Sequence, residues 1–190
     1  MPGCEAPIPD EMLLDYWTGD GAADHTAGIE AHLFECGDCA ARLERMASIG
    51  MGLAALVRRG HVSGIVSRTL VNRMQRDGLH VRLYSVSPGE TLPCAVFPGD
   101  DLVVASLRAD FSGVHAATLS VTGPGNSPLS EFDEIPVSRS AGEVLWALPG
   151  AVVHQMPSTR LKLTLTSRGT ERAVLGEYVL EHIASDPPAR

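Results

Sequence analysis

His32, Cys36 and Cys39 place one imidazole and two thiols within eight residues, in the run Glu30-Ala-His-Leu-Phe-Glu-Cys-Gly-Asp-Cys39. These are soft ligands at a spacing that suits one metal ion. Positions four apart share a helix face, so His32 and Cys36 stack. Cys36 and Cys39 form a Cys-x-x-Cys knuckle whose thiolates reach one tetrahedral centre if the backbone turns between them. Gly37 is expected to supply that turn through a positive φ. Thiolate and imidazole select zinc over hard cations, and a closed four-ligand site is structural rather than catalytic. Cys4 is the first candidate for the fourth ligand, because an N-terminal segment can fold back against the helix. His25 and water are the alternatives, although His25 lies about 10 Å along a helix from His32. A lone cysteine is commonly just a buried side chain; three ligands at working spacing in one short segment argue for a metal.

The elements that must position these residues read as short helices. Pro9-Asp10-Glu11 opens the first, with Asp10 able to cap and Glu11 favourable near the positive end of the dipole. Leu13, Leu14 and Trp17 recur at helical spacing up to Gly19. A second helix begins near Asp24 and carries Ile29, His32 and Leu33. Asp38 can cap a third, on which Leu43 and Met46 face inward. Three helices this short bury little surface, and a bound metal would make up the deficit. Residues 49–60 are either a short helix or a connector. Residues 62–77 read as one amphipathic helix, with Val62, Ile65, Val66, Leu70 and Met74 as its stripe and Gly78 as its stop.

From Leu79 the period changes to two. Short β-rich runs follow over 79–85, 91–96, 102–107, 117–121, 143–148, 161–167 and 173–182. Pro88-Gly89, Pro98-Gly99-Asp100, Gly123-Pro-Gly-Asn126 and Pro149-Gly150 separate them. Strands at this spacing predict an antiparallel β-sandwich, with an Ig-like sandwich or a cupin-like barrel as variants. The expected fold is therefore α+β: a metal-stapled helical domain over 1–48, a helical connector over 49–78 and a β-sandwich over 79–190. Cys94, Phe132 and Trp146 are expected in its core, and 185–190 as a frayed tail. His80, His115, His154 and His182 are scattered, each a surface or satisfied histidine.

Charge is uneven along the chain. The net charge is −8. Residues 1–48 hold ten Asp or Glu against Arg42 and Arg45 alone, so the rest of the chain sums to zero. An acidic face repels a phosphate backbone, which disfavours direct nucleic-acid binding, and complements a basic protein surface. No apolar run nears the roughly 20 residues needed to span a bilayer. No basic stretch followed by an apolar core marks a signal peptide. A soluble, cytoplasmic protein is the expectation, and clustered cysteines suit metal binding in a reducing compartment.

Leu13-Leu14-Asp15-Tyr16, Gly19, and then Glu30-Ala-His-Leu33 with Cys36 and Cys39 together resemble the zinc-binding anti-sigma factor family, over about the first 48 residues. The resemblance implies His32, Cys36 and Cys39 as zinc ligands, with Cys4 taking the place of the family's remaining one. It further implies a helical domain that clamps a sigma factor of the extracytoplasmic-function type and keeps it from RNA polymerase. A helix after the zinc bundle would add to the grip, and a second region would sense a signal, here in the cytoplasm. The clustered His-x-His and Glu of a metal-binding cupin sensor are absent, so those ligands are not carried over. Separately from the resemblance, release could work by thiol chemistry, with an oxidant such as peroxide joining Cys36 and Cys39 in a disulfide that expels the ion; the alternative is an inert structural zinc.

Two other classes compete with this expectation. One is a zinc-stabilised module that binds a protein or small ligand with no sigma partner. The other is an enzyme with an open zinc position, for which Glu30 or Glu35 would have to act as base. No nucleophile–base pair, phosphate loop or paired-carboxylate motif supports catalysis, and the chain is read as a non-enzyme.

Overall fold

A computed structural model of the protein describes residues 4–19, 23–59, 63–137, 142–169 and 172–184. Three helices come first: α1 (Asp10–Thr18), α2 (Ala23–Glu35) and α3 (Gly37–Arg58). Pro9 precedes α1 in extended conformation and Asp10 is its first helical residue, so Asp10 lends charge to the dipole but makes no cap. Gly19 closes α1 in the left-handed region, φ +82°, with its N–H on the carbonyls of Asp15 and Tyr16. The third helix runs on through Gly50 and Gly52, a length of about 33 Å for its 22 residues. Residues 49–58 are thus helical, as a continuation of α3.

The expected helix over 62–77 is only partly present. Gly64–Val66 forms a short strand, β1, and the helix α4 (Arg68–Arg76) starts after it. Ile65 and Val66 are β-branched and pair with Trp146 and Leu145 on a neighbouring strand. Ser67 then caps α4, its hydroxyl accepting from the Leu70 N–H at 3.1 Å, a contact worth about 1 kcal/mol. Val62 lies outside the described residues, as do 185–190.

Eight further strands follow: β2 (Val81–Val86), β3 (Thr91–Ala95), β4 (Leu102–Arg108), β5 (Ala116–Thr122), β6 (Pro128–Pro136), β7 (Glu143–Pro149), β8 (Thr159–Ser167) and β9 (Val174–Ile183), with a one-turn helix α5 (Gly150–Gln155) after β7. The strands form two separate sheets, ordered β1-β7-β4-β2 and β3-β9-β8-β5-β6. The chain is therefore α+β, with a β-sandwich after the N-terminal helices. The sheets are mixed, not purely antiparallel: β2 pairs parallel with β4, and β3 parallel with β9. They also keep separate edges, which a closed barrel would not.

Alternation sorts the side chains into layers. Ala105, Leu107, Val144 and Trp146 point from one sheet, and Leu119, Leu163, Leu165, Tyr178 and Leu180 from the other, into the main core. The first sheet is apolar on its outer face too. Leu102, Val104, Leu145 and Ala147 pack there against Val57 of α3 and Val71 and Met74 of α4. That covering explains why β4 is buried at six consecutive positions. The second sheet faces outward with Arg160, Lys162 and Glu177. Its hidden leucines are as deep as any in the chain.

The helices at the front dock on this assembly through α4. The Arg73 guanidinium lies 5.1 Å above the Trp17 ring and donates to the Trp17 carbonyl at 3.0 Å. Arg76 donates to the Thr18 carbonyl. The last carbonyls of α1 carry partial negative charge, so two arginines are suitable partners.

Candidate metal centre

Between α2 and α3 the backbone breaks for one residue. Cys36 is extended, φ −117° and ψ 101°, while Gly37 is already helical. The expected positive φ at Gly37 is therefore not used; Cys36 itself makes the turn. Two helical segments separated by one extended residue set His32 in the last turn of one and Cys39 in the first turn of the next. Cys36 N–H still donates to the His32 carbonyl at 2.8 Å, and Ala40 N–H to the Cys36 carbonyl at 3.1 Å. The motif is held by backbone before any side chain acts.

Cys4 comes from the N-terminal segment and folds back onto this corner. Its N–H donates to the Asp38 carboxylate at 3.2 Å, so Asp38 anchors that segment instead of capping α3. Ligand atoms of Cys4, His32, Cys36 and Cys39 all lie within 4.8 Å of one another. Cys4 Sγ is 3.5 Å from His32 Nε2; a tetrahedral centre with ordinary zinc–sulfur and zinc–nitrogen bonds separates such atoms by about 3.6 Å. These four side chains can hold a metal ion. His25, the alternative fourth ligand, is not among the grouped atoms.

Cys39 is fully buried and the other three are half-buried. Ile8, Leu13 and Ile29 form the small core beside them, with Tyr16, Leu33, Leu43 and Met46 packed around. The Cys39 N–H at the start of α3, helped by the Cys4 and His32 side chains, pulls the Cys36 thiol down to about 7. Its neighbour Cys36 pushes the Cys4 thiol up to about 11. Cys36 is thus the thiolate this corner favours, and a bound cation would favour ionisation of Cys4 as well. Arg42, one helical turn past Cys39, sits 3.9 Å from its sulfur and pairs with Asp10 of α1. Arg42 was not among the sequence candidates, although its i+3 position from Cys39 marks it as a neighbour.

The remaining candidates fall elsewhere. Cys94 is buried in the sandwich, where burial pushes its thiol up to about 11. Trp146 is in the core and Phe132 packs at its margin. His80 and His115 are exposed. His154 and His182 depart from the expectation of satisfied histidines: each has a buried Nδ1 without a hydrogen-bond partner among the described residues. No described helix is long and apolar enough to cross a membrane.

The chain matches no family model, and no curated protein matches it. Among solved structures it is similar to the N-terminal domain of phage TP901-1 ORF48, with 7% sequence identity over 56% of this chain and 98% of that one, at a TM-score of 0.36.

Proposed function

We propose that this chain is a zinc-stabilised anti-sigma regulator whose first three helices bind a sigma factor of the extracytoplasmic-function type. Zinc is the ion because three thiolates and one imidazole form a soft, tetrahedral, redox-inert set. Such a site carries one net negative charge, and the Arg42 guanidinium beside Cys39 offsets it. The role is structural: the ion joins the N-terminal segment, the end of α2 and the start of α3, where Ile8, Leu13 and Ile29 alone make too small a core.

The observation that carries the reading is the outward placement of large apolar groups on this acidic, metal-stapled unit. Phe34 is 93% exposed, Ile49 73% and Met51 67%, all on α2 and α3. An exposed phenylalanine, isoleucine and methionine on an acidic unit suit a protein surface that offers apolar contacts and basic groups. The resemblance of the Leu13–Cys39 stretch to the anti-sigma family names the class of partner.

The test is inhibition of transcription. Zinc-loaded protein, added to RNA polymerase core and each extracytoplasmic-function sigma factor of the native host, should suppress one sigma-dependent promoter at near-stoichiometric amounts. Phe34→Ala should weaken that effect while leaving zinc content unchanged. Failure to bind or inhibit any such sigma, with one zinc bound and the helices folded, removes the reading and leaves a metal-stapled module for another partner.

A further inference from the structure

β1 ends one sheet and β6 ends the other, so each has a strand neighbour on one side only. A groove with a volume of about 590 Å³ lies between these two edges, lined by Ile65, Val66 and Ser67 and by residues 131–136. Burial sorts its lining. Ile135 is buried and Ile65, Val66 and Phe132 are half-buried, so the floor is apolar. Glu131, Asp133 and Glu134 are exposed and stand at the mouth. No lysine or arginine lines the groove.

The mouth carries more negative charge than its surroundings offset. Arg168 lies 2.6 Å from Asp133 and 3.0 Å from Glu134. The Thr118 hydroxyl donates to Asp133 as well, at 2.6 Å. Glu131 accepts from a neutral group, the Ser120 hydroxyl, at 3.3 Å. Three carboxylates against one guanidinium leave a surplus of two negative charges, in a part of the chain that is neutral as a whole.

These features narrow the occupant. Carboxylates in excess repel a phosphate backbone. A single cation does not fit either: among the described residues, Cys4, His32, Cys36 and Cys39 alone bring their ligand atoms close enough to share an ion. A second copy of this edge would set like charges against each other. β6 is also a poor template for an added strand. Pro128 and Pro136 have no N–H, and between them Thr118 stands opposite both Asp133 and Glu134 in a bulge. Glu134 has φ +54° there, and its N–H donates to the Asp133 carboxylate at 2.9 Å. Recognition must therefore come from side chains. Packed sheets lie about 10 Å apart, which admits one extended chain between their edges but not a helix about 10–12 Å across.

We propose that this groove binds an extended segment of a partner protein in which apolar side chains alternate with lysine or arginine. Successive side chains of such a segment point to opposite sides. The apolar set then lies on the floor against Ile65 and Phe132, and the basic set reaches Glu131 and Glu134 at the mouth. The sigma-binding reading plays no part in this inference, which concerns the sandwich and not the first three helices.

The test uses the full zinc-loaded chain, labelled with nitrogen-15, and a capped hexapeptide that alternates valine and arginine. The amide resonances of Ile65, Val66 and residues 131–135 should shift saturably, with half-saturation below about 1 mM. The same peptide with serine in place of valine should bind at least about ten-fold more weakly, since it loses the apolar burial. A peptide alternating valine and glutamate should not bind. Glu131→Gln and Glu134→Gln should each weaken the valine–arginine peptide about two- to five-fold, the range for an exposed ion pair. Equal affinity for the valine and serine peptides overturns the proposal, because charge alone would then attract them. So do shifts that fall on the acidic helices of 1–48 and spare the groove, an affinity that neither glutamate variant changes, or no saturation at all.

Discussion

Gly50 and Gly52 lie two residues apart in the same helix, yet replacing them with alanine should have opposite effects. In a helix interior, Gly→Ala is worth about 1 kcal/mol of stability through reduced backbone entropy alone. A methyl group at Gly52 meets nothing within 4 Å, so Gly52→Ala should realise that gain. At Gly50 the added carbon falls on the Cη2 and Cζ2 atoms of Trp17, closer than the 3.0 Å that such carbons do not cross. Trp17 has little freedom to yield. Its ring lies under the Arg73 guanidinium, and its carbonyl accepts from the same residue. Overpacking of this kind costs about 1–3 kcal/mol, and loss of the cation–π contact about 0.5–1 kcal/mol more. Gly50→Ala is therefore a net loss of about 0.5–3 kcal/mol, some 1.5–4 kcal/mol below Gly52→Ala. Urea unfolding followed at 222 nm, with zinc saturating, measures both. In a chain of this size 1 kcal/mol also moves the thermal midpoint by about 2–4 °C. Trp17→Ala supplies the internal control: with the ring removed, Gly50→Ala should turn stabilising by about 1 kcal/mol. If Gly50→Ala stabilises the unaltered chain as much as Gly52→Ala does, α3 does not rest on Trp17 and the docking of α1 is wrong.

Other expectations are briefer. Cys39→Ala removes the buried thiol of the candidate metal corner, and metal analysis should show zinc falling from one equivalent to a small fraction; ellipticity at 222 nm should fall, as chelator treatment of the native chain should also make it do. Glu143 accepts from Arg68 and from the Ser106 hydroxyl, and the Arg68 bond above all holds its carboxyl below the usual carboxylate range. Its folded value is below its unfolded one, so its contribution is complete above about pH 4.5 and vanishes as pH falls through the depressed value. Glu143→Gln should cost about 1–3 kcal/mol at pH 7, with the gap to the native chain closing in acid; a gap constant from pH 7 to 3 would contradict the pairing. Leu163 is fully buried between the sheets, and Leu163→Ala should destabilise by about 2–5 kcal/mol in chemical unfolding, with no change in zinc content.

The metal corner was legible because its parts are local. His32, Cys36 and Cys39 are set by one helix face and one knuckle, and spacing alone brings them together. The return of Cys4 is not local; it depends on a backbone hydrogen bond to Asp38 that no periodicity encodes. Strands with clean alternation and Pro-Gly turns were equally readable. β6 was not, since prolines stand at both its ends and its run of acidic residues is exposed, as an edge strand allows. β1 was hidden inside an apparent helical stripe, because Ile65, Val66, Leu70 and Met74 fit a period of 3.6 until Ser67 is recognised as a cap. The continuity of α3 through Gly50 contradicts local propensity for a tertiary reason: the glycine makes room for Trp17. Parallel pairing of β2 with β4 and of β3 with β9 has no signature in either strand, being decided by which strands the core brings side by side.

One strand joins the helices to the sandwich. On β7, Trp146 lies in the core between the sheets, while its neighbours Leu145 and Ala147 face outward onto Val57, Val71 and Met74 of α3 and α4. Those same helices lead to the metal corner: α3 begins there at Gly37, and α4 holds α1 through Arg73 and Arg76. A partner that gripped the helices would therefore bear on a strand whose other face is the sandwich core, with no intervening loop to absorb the change. The size of any such effect is bounded by differential affinity: a ten-fold preference for one helix arrangement shifts that equilibrium by at most about 1.4 kcal/mol.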